Sequence, residues 1–393
     1  MTEALLVLNA GSSSIKFALY ACVQLLPLCR GHIDALGTAE QSATWSGALA
    51  AKFEGARPPP AANHNDAVVW LLQALRERLP DLEIVAAGHR VVHGGARFAD
   101  PVPIDACVIA QLQEFVPLAP NHQPHSLAAI RAVTAAWPRL PQIACFDTAF
   151  HQTQPRLAQL FALPSELSDQ GILRYGFHGL SYAYIADELP RHAGVRADAR
   201  VVVAHLGHGA SLCALRDRCS VATTMGFSAL DGLMMGTRSG ALDPGVLLYL
   251  LQTQQYDAAQ LTDLLYNRCG LLGVSGISDD LRALEGSTDA RAREAIELFA
   301  YRTARELGSM AAALGGLDVL VFTAGIGERS AMMRSLICAQ ARWLGVELDV
   351  QANAQQQTKI SSAMSTADVF VIPTDEEIVI ARATQGLLAL LRA

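Results

Sequence analysis

Short apolar runs alternate with longer segments of helical periodicity along this chain. Residues 4–10 and 15–20 are mainly apolar and flank a Gly-Ser-Ser-Ser turn at residues 11–14, and this arrangement predicts a β-hairpin. Residues 83–95 predict a buried strand that enters a glycine loop, and residues 142–151 predict a further strand. The first part of the chain is therefore expected to form a sheet.

Helical periodicity is clearest in two segments. Residues 66–79 carry apolar side chains at helical spacing, with Asp66 in the position of an N-cap. Residues 293–316 predict a long helix that ends at its two final glycines, since glycine is favoured just past a helix C-terminus. Residues 318–329 predict a strand that enters a glycine loop, and residues 40–63, which contain three consecutive prolines, predict an excursion over the surface.

A faint internal repeat links two parts of the chain. Residues 5–19 and 201–215 share one plan, in which an apolar strand, a turn of glycine and small hydroxyl residues, and a second apolar strand follow each other. Two such hairpins suggest two related halves, each with a turn whose backbone N–H groups can face phosphate oxygens. Two unrelated hairpins remain the alternative, because short Gly/Ser turns are common in β-structure.

Composition narrows the class of protein. The chain has 393 residues, of which 51% are hydrophobic and 17% charged, which is enough for two domains. Its formal charge of -7 argues against nucleic-acid partners and anionic membrane surfaces. The start carries Glu3 rather than a basic segment, and no uncharged apolar run approaches the roughly 20 residues that span a bilayer. We expect a cytoplasmic protein whose eight cysteines are buried and reduced.

Lysine is rare in this chain, and one lysine has a distinctive place. Of the 30 basic residues only Lys16, Lys52 and Lys359 are lysine. Lys16 follows the Gly-Ser turn, where a compact and mobile ammonium suits a phosphate group. The more familiar phosphate motifs are missing, because the chain has neither a Walker A sequence nor the HRD and DFG motifs of protein kinases. The segment 325–327 (Gly-Ile-Gly) lacks the third glycine of a dinucleotide fingerprint.

Seven short blocks resemble, in order, the signatures of the acetate kinase family. They are residues 9–16, 88–95, 146–151, 174–179, 236–240, 323–328 and 373–377. The resemblance implies an α/β, ribonuclease H-like duplicated fold of the kind shared by actin, Hsp70-type ATPases and sugar kinases, with two domains around a cleft. It also implies a homodimer and a reversible transfer of phosphate from ATP to acetate, giving acetyl phosphate and ADP, with Mg²⁺ or Mn²⁺ as the metal.

The resemblance also implies roles for individual residues. Arg90 matches the arginine that binds the substrate carboxylate, a task that suits a guanidinium able to donate two parallel hydrogen bonds. Arg238 and His178 match the residues that stabilise the transition state, and we expect Gly236 and Gly240 to leave room for a phosphate beside Arg238. The remaining assignments are Asp147 as a catalytic residue, Val92 and Phe177 at the substrate, and Asn9 and Glu376 as metal ligands.

Asp147 has two possible functions. Its family counterpart is described as a proton donor or acceptor. Acetate is already ionised near pH 7, however, so no base is needed to activate it. Asp147 would then orient Arg238, Arg90 or a Mg²⁺-bound water, and both functions remain open at this stage.

The nucleotide assignments follow the same resemblance. They are Lys16, Ser12, Ser14, His205, Leu206, Gly207, His208, Gly209, Asp280, Leu281, Arg282, Gly325, Ile326, Gly327, Glu328 and Arg329. Three of these depart from the family pattern: His208 and Arg329 replace asparagine, and Leu281 stands where an aromatic residue is common. We expect these departures to affect nucleotide affinity rather than the reaction.

The wall of the acyl pocket departs from the family pattern as well. Asn121 stands where leucine is usual and Ala229 where proline is frequent. Both replacements are smaller, so we expect a roomier pocket that accepts propionate as a secondary substrate. An extra methylene changes binding in a well-shaped apolar pocket by only about 1–3 kcal/mol.

Two other classes of protein share the expected fold. A regulatory ATPase of the Hsp70 or actin type would need a peptide-binding or polymer-forming appendage, which we do not expect in this chain. A sugar kinase would need a carboxylate base for a neutral hydroxyl, which Asp147 could supply, but Arg90 and the apolar Val92 and Phe177 suit a short fatty acid better. We place an N-terminal actin-like ATPase domain at residues 1–149, completed by a helix at 378–393, and a C-terminal nucleotide-binding domain at 150–377.

Overall fold

The structure is a computed structural model that describes residues 2–11, 14–38, 40–60 and 62–393. The chain separates into two compact units. Unit 1 comprises Met1–Ala149 and Asp375–Ala393, and unit 2 comprises Phe150–Thr374.

Twelve strands lie in these described ranges. They are β1 (Thr2–Ala10), β2 (Ile15–Ala21), β3 (Pro27–Asp34), β4 (Ser42–Ser46), β5 (Leu82–Val91), β6 (Val102–Pro103), β7 (Gln142–Phe146), β8 (Val201–Leu206), β9 (Ala210–Arg216), β10 (Cys219–Thr223), β11 (Val319–Thr323) and β12 (Asp368–Val371).

The helices are distributed over both units. They are α1 (His64–Arg78), α2 (Ala106–Glu114), α3 (Gln123–Ala136), α4 (Arg156–Gln159), α5 (Ser165–Asp169), α6 (Gly179–Ala193), α7 (Pro244–Gln252), α8 (Ala258–Asn267), α9 (Gly270–Ser275), α10 (Leu281–Glu285), α11 (Ala290–Leu314), α12 (Ala324–Arg329), α13 (Ala331–Gln340), α14 (Val350–Ala354) and α15 (Glu376–Arg392). Short 3-10 helices lie at Ala50–Phe53, Val116–Leu118, Ala149–Thr153, Gly194–Asp198 and Arg342–Leu344.

The two sheets repeat one strand order. Unit 1 has the order β4-β3-β2-β1-β5-β7-β6, and unit 2 has the order β10-β9-β8-β11-β12. Each contains three antiparallel strands, β3-β2-β1 or β10-β9-β8, followed by two strands that run parallel to the first strand of the unit, β5-β7 or β11-β12, and unit 1 adds β4 and β6 as antiparallel edge strands. Both predicted hairpins are present, as β1–β2 and β8–β9, and the duplicated α/β fold is confirmed.

Apolar runs in the central strands explain why these sheets form. Five of the six residues of β8 are apolar, and all six are buried, as they are in a strand covered on both faces. In unit 1 the final helix α15 packs against β1 and β5. Its Gln385 side chain donates hydrogen bonds to the carbonyl oxygens of Cys22 (2.5 Å) and Val23 (2.9 Å). The end of the chain thus belongs to the same unit as its start.

Several sequence predictions need correction. Helix α1 has Asn63, not Asp66, as its N-cap, because the Asn63 side chain accepts a hydrogen bond from the backbone N–H of Asp66. The stretch 40–63 is not only a surface excursion, since it contributes β4 and buries Phe53 against Trp45 in a stacked ring contact. The predicted glycine loop after β11 is a short helix, α12.

The cysteine prediction is partly wrong. All eight cysteines are free, but Cys107 and Cys219 are exposed, and Cys269 is half-buried. In the part of the chain that the structure describes, no helix combines the length and the apolar character required to cross a membrane.

Candidate active-site residues on the two units

Unit 1 brings four predicted site residues together at the carboxyl ends of parallel strands. Asn9 lies near the end of β1, Arg90 near the end of β5, and Asp147 directly after β7. Since β5 pairs with both β1 and β7, these ends are neighbours. Glu376 opens α15 and contacts the Asn9 amide at 3.5 Å. These residues form a compact cluster although they lie far apart in the sequence, with 367 positions between Asn9 and Glu376.

Arg90 is the centre of this cluster. Its Nε donates to both carboxylate oxygens of Asp147, at 3.0 and 3.1 Å, and its Nη2 donates to Asp147 Oδ2 at 2.5 Å. Its Nη1 donates to Asn9 Oδ1 at 3.0 Å. The pKa of Arg90 is raised, because the Asp147 carboxylate outweighs the effect of burial, which alone would lower it. A guanidinium has five N–H donors, so one on Nη1 and one on Nη2 remain for a ligand.

The Asp147 carboxylate forms a buried ion pair with Arg90. Its side chain is 2% exposed, and both of its oxygens accept from the guanidinium. Its backbone N–H donates to the Val91 carbonyl at 3.1 Å, which fixes the start of the segment after β7. This geometry favours a positioning function for Asp147 over a proton-transfer function.

Glu376 is the carboxylate in this cluster that binds no basic side chain directly. Burial raises the pKa of Glu376 to about 7. The nearby carboxylates Asp147 and Glu377 act in the same direction, while Arg90 and Lys16 oppose them. Excess negative charge in a desolvated place is the condition that a bound cation relieves. Within the described ranges, no group of three or more His, Cys, Asp or Glu side chains is arranged to hold a metal ion.

The first hairpin turn lies beside this cluster. Lys16 pairs with Asn9 across β1 and β2, and its side chain is exposed. The Gly11 N–H donates to the Ser14 carbonyl at 2.8 Å, and His64 Nε2 contacts the Gly11 carbonyl at 2.7 Å. The predicted nucleotide contact Ser12 lies outside the described residues.

Unit 2 holds His178 in a strained position that its neighbours stabilise. His178 has a left-handed backbone, with φ 60° and ψ 22°, directly before α6. Its Nδ1 contacts Ser211 Oγ at 2.8 Å, and the same hydroxyl contacts the buried Tyr182 hydroxyl at 2.5 Å. A strained backbone of this kind persists only where surrounding contacts fix it, and such residues cluster at functional sites.

The His178 ring also stacks on His205. The two ring centroids are 4.2 Å apart, with an angle of 18° between the planes. His205 Nδ1 contacts Ser181 Oγ at 2.8 Å, and this hydroxyl donates to Thr374 Oγ1 at 2.9 Å. The first turn of α6 therefore anchors both imidazoles.

His151, which the sequence analysis did not single out, fixes the loop that carries Phe177 and His178. Its Nε2 donates to the Phe177 carbonyl, and its Nδ1 contacts Ser220 Oγ, both at 2.9 Å. Burial lowers the pKa of His151 to about 4, so the ring stays neutral near pH 7. A function for His151 could have been predicted from the sequence, because it lies in the block at residues 146–151 that resembles the acetate kinase family. Ser211, in the second strand of the second hairpin, gave no signal of its own.

Arg238 reaches the turn of the second hairpin. Its Nη1 donates to the Ala229 carbonyl at 3.3 Å. A Cβ atom placed on Gly209 would lie 3.2 Å from His178 Nε2 and 3.9 Å from Arg238 Nη1. His178 and Arg238, the two predicted transition-state residues of unit 2, therefore both lie beside Gly209. Because Gly209 has no side chain, the His178 imidazole and the Arg238 guanidinium stay accessible.

Gly236 and Gly240 have a packing function in this structure, and their expected function beside a phosphate stays a prediction. A Cβ on Gly236 would meet the His208 imidazole at 2.6 Å, and one on Gly240, which has φ 71°, would collide with the Leu233 carbonyl oxygen. These glycines let the Arg238 loop pack closely on the protein itself.

The second hairpin turn and α12 carry the predicted nucleotide contacts of unit 2. The Gly207 N–H donates to the Gly209 carbonyl at 3.0 Å, and Leu206 is buried. His208 is exposed and contacts Asp279 Oδ2 at 3.0 Å through Nε2. The Gly325 Cα faces open space, since a Cβ there would meet nothing within 4 Å.

Other predicted nucleotide residues have structural contacts. Glu328 Oε1 accepts from the backbone N–H groups of Ala324 (2.9 Å) and Thr374 (3.1 Å). Asp280 caps α10 and forms an ion pair with Arg282. The Leu281 side chain is buried within unit 2. Three further residues of α12 differ in exposure: Ile326 is half-buried, Gly327 buried and Arg329 exposed.

The two substrate-pocket predictions fall on different units. Val92, directly after β5, is 3% exposed, and Phe177 of unit 2 is 2% exposed. Asn121 and Ala229 are both half-buried, and the Ala229 carbonyl is the acceptor for Arg238.

These features define a two-unit α/β phosphotransferase fold with charged residues at the strand ends of unit 1 and paired imidazoles with an arginine in unit 2. A sequence profile described as the Acetokinase family matches residues 4–382. An acetate kinase from Rhodopseudomonas palustris is 55% identical over 390 residues, covering 97% of this chain and 98% of its own length. An acetate kinase from Rhizobium meliloti is 45% identical and covers 98% of this chain and 99% of its own length.

Solved structures agree with this match. A propionate kinase from Francisella tularensis has a TM-score of 0.90 and 36% identity, covering 98% of this chain and 99% of its own. An acetate kinase from Porphyromonas gingivalis has a TM-score of 0.85 and 35% identity, covering 98% and 100%. The chain belongs to the Acetokinase family.

Proposed function

We propose that this protein transfers the γ-phosphoryl group of ATP to acetate, forming acetyl phosphate and ADP in a reversible reaction. The observation that carries the proposal is Arg90, which Asp147 and Asn9 hold in place while two of its N–H donors remain for a carboxylate. The match to the Acetokinase family along nearly the whole chain supports the same substrate class.

The reaction needs positioning more than proton transfer. An acetate oxygen attacks the γ-phosphorus, the bond from that phosphorus to the bridging oxygen breaks, and ADP leaves with its electron pair. No proton moves, because the nucleophile is a carboxylate and the leaving group is a phosphate. Asp147 therefore orients Arg90 rather than acting as a base.

Charge on the transferring group is the main obstacle, and unit 2 supplies the groups that offset it. Arg238 contributes a permanent positive charge. His178 contributes a ring whose orientation Ser211 and His205 fix. Because both groups approach Gly209, we assign them to the equatorial oxygens of the transferring phosphoryl.

Glu376 is suited to act as a direct ligand of a magnesium ion, whereas the Asn9 side chain is already hydrogen-bonded to its neighbours. Mg²⁺ prefers oxygen ligands and keeps several waters, so a single protein carboxylate beside ATP phosphates is sufficient. Glu376 offers a desolvated carboxylate with a raised pKa. The Asn9 oxygen accepts from Arg90, and its amide nitrogen faces Glu376, so Asn9 orients these two side chains in the arrangement described. Mg²⁺, or Mn²⁺, would supply charge neutralisation for the ATP phosphates.

The nucleotide assignments remain proposals that rest on local geometry. Lys16, at the start of β2, and residues 208–209, in the turn between β8 and β9, are the groups that we assign to the phosphate oxygens. The open face of Gly325 offers space for the adenosine side of ATP. Propionate is a secondary substrate in this proposal, because Asn121 and Ala229 are small and a 36% identical neighbour is named a propionate kinase.

We also propose a cytoplasmic homodimer that forms through α7. This helix has no buried residue, and its exposed side chains include Val246, Leu248, Tyr249 and Leu251. No charged residue occurs from position 244 to 256, so a second copy could cover the helix without desolvating a charge. Leu248→Glu should convert the dimer to a monomer in light scattering, while Leu157→Glu, at another exposed leucine of unit 2, should not. A monomeric wild-type protein would refute this interface.

A hydroxylamine trap tests the proposed reaction. Acyl phosphates react with hydroxylamine to give a hydroxamate, whereas sugar phosphates do not. With ATP and Mg²⁺, we expect hydroxamate from acetate, less from propionate and little from butyrate. ATP consumption with a sugar, and no hydroxamate from any short carboxylic acid, would contradict the proposal.

A further inference from the structure

A fully buried arginine lies beneath α12. Arg334, in α13, has 0% exposure and is the largest side chain of the buried interior. Its Nη1 donates to the carbonyl oxygens of Gly327 (2.8 Å) and Glu328 (2.9 Å), near the C-terminal end of α12. The last carbonyl groups of a helix lack partners inside the helix, and a positive charge is favourable beside them.

Arg334 has no carboxylate partner among the residues that the structure describes. Its other two hydrogen bonds go to Asn353, from Nε to the side-chain oxygen (2.7 Å) and from Nη2 to the backbone carbonyl (3.1 Å). Asn353 is itself fixed, because its amide donates to the Ala331 carbonyl and to Ser335 Oγ, both at 2.9 Å. Burial lowers the pKa of Arg334, but an arginine stays charged under these conditions.

Burying a charge without an opposite charge is costly, so this arrangement calls for a physical reason. A leucine or methionine would fill the same space without that cost. What the guanidinium adds is a rigid planar group whose Nη1 binds two successive carbonyl groups while Asn353 fixes its Nε and Nη2.

The other end of α12 is held independently. Glu328 accepts from the Ala324 N–H, which fixes the first residue of the helix, and Ala324 has the uncommon φ of 65°. At the C-terminal end of α12, where Arg334 also binds, Ser330 donates to the Glu285 carboxylate at the end of α10. This bond joins α12 to the helix whose start carries the other nucleotide segment proposed for this region.

We propose that Arg334, anchored by Asn353, is a positioning residue for the nucleotide. It fixes the carbonyl groups of Gly327 and Glu328 and so keeps the open face at Gly325 in the geometry that receives the adenosine side of ATP. This inference rests on the proposed function of the Gly325–Arg329 segment as a nucleotide contact. Arg334 does not touch the reacting groups.

The test separates nucleotide binding from catalysis. Arg334→Lys keeps the charge but loses the fork, and we expect the KM for ATP to rise roughly tenfold, since small displacements of positioned groups have effects of this order. The kcat at saturating ATP and the KM for acetate should change less than twofold. A general loss of structure would lower kcat as well. The matched control is Arg342→Met, at an exposed arginine of the 3-10 helix after α13, which should leave all three constants unchanged.

Two further variants keep the result decisive. Gly325→Val tests the nucleotide segment itself, and the open space there allows the variant to fold. If Gly325→Val raises the KM for ATP and a folded Arg334→Lys does not, the positioning role is refuted and the proposed function stands. If neither variant changes it, both the role and the nucleotide assignment of α12 are refuted. Should Arg334→Lys not fold, Asn353→Ser is judged by the same criteria, with a smaller rise expected.

Discussion

Replacing Asp147 with asparagine distinguishes the two functions considered for this residue. The substitution keeps the size of the side chain but removes the charge that faces Arg90 Nε and Nη2 at 2.5 to 3.1 Å. The oxygen of the new amide can still accept a hydrogen bond, but its NH₂ group faces a second donor. Arg90 is then held less firmly and loses its neutralising partner.

The magnitude follows from the burial of the pair. The Asp147 side chain is 2% exposed and that of Arg90 is 18% exposed, so solvent screens this ion pair weakly. Removing one partner of such a pair typically costs about 3–5 kcal/mol, part of which will lower protein stability. We expect kcat/KM for acetate to fall by roughly 100- to 1,000-fold, since 1.36 kcal/mol corresponds to a factor of ten. The KM for ATP should change less than threefold.

The assay is hydroxamate formation with varied acetate at saturating ATP and Mg²⁺, from pH 6 to 8.5. A positioning role predicts that Asp147→Asn and the wild type have parallel pH–rate profiles, because neither requires a proton acceptor. The matched control is Asp318→Asn, which breaks another multiply bonded Arg–Asp pair, with Arg200, on unit 2. If Asp147→Asn lowers only kcat and removes one limb of the pH profile, Asp147 is a base and our reasoning is wrong.

Three further predictions follow from the structure. Arg238→Ala should lower kcat by about 1,000-fold or more, the scale of arginine fingers, with smaller changes in both KM values, and near wild-type kcat would exclude its transition-state role. Burial lowers the pKa to about 4 at three histidines, His89, His93 and His151, so as the pH falls the unfolded chain takes up protons at these residues before the folded chain does. The free energy of unfolding should therefore be highest above pH 6.5 and decrease as the pH drops towards 4. A thermal midpoint that does not change between pH 7.5 and pH 5 would contradict this. The double variant Asn121→Leu with Ala229→Pro should shift the kcat/KM ratio of propionate to acetate towards acetate, by up to about tenfold, and an unchanged ratio would remove both residues from the pocket.

Local sequence patterns predicted much of the fold because their physical causes are local. The hairpins β1–β2 and β8–β9 follow from apolar runs around Gly-containing turns, and the end of α11 follows from Gly315. Helix α12 was missed because its Gly-Ile-Gly segment has weak helix propensity. Its stability comes from Glu328 at one end and from Arg334 at the other, and neither bond can be derived from the local pattern.

The candidate site, like the fold, was predicted from the sequence only in part. Arg90 and Asp147 each stood out at the end of a predicted strand, but their pairing depends on β5 and β7 being adjacent and parallel, with Arg90 opposite Cys145. Strand order is a tertiary property that the sequence of one chain does not contain in readable form. The packing function of Gly236 was missed for a related cause, since the side chain that a Cβ there would meet belongs to His208, 28 positions away in the sequence.

The central claim is that a carboxylate oxygen of acetate attacks the γ-phosphorus of ATP. The most direct test uses acetate labelled with ¹⁸O at both oxygens, together with ATP and Mg²⁺, and follows the products by ³¹P NMR. Our account predicts acetyl phosphate whose phosphorus carries one ¹⁸O and shows the corresponding isotope shift, with unlabelled ADP as the other product. Acetyl phosphate without ¹⁸O on phosphorus, or AMP and pyrophosphate in place of ADP, would contradict it.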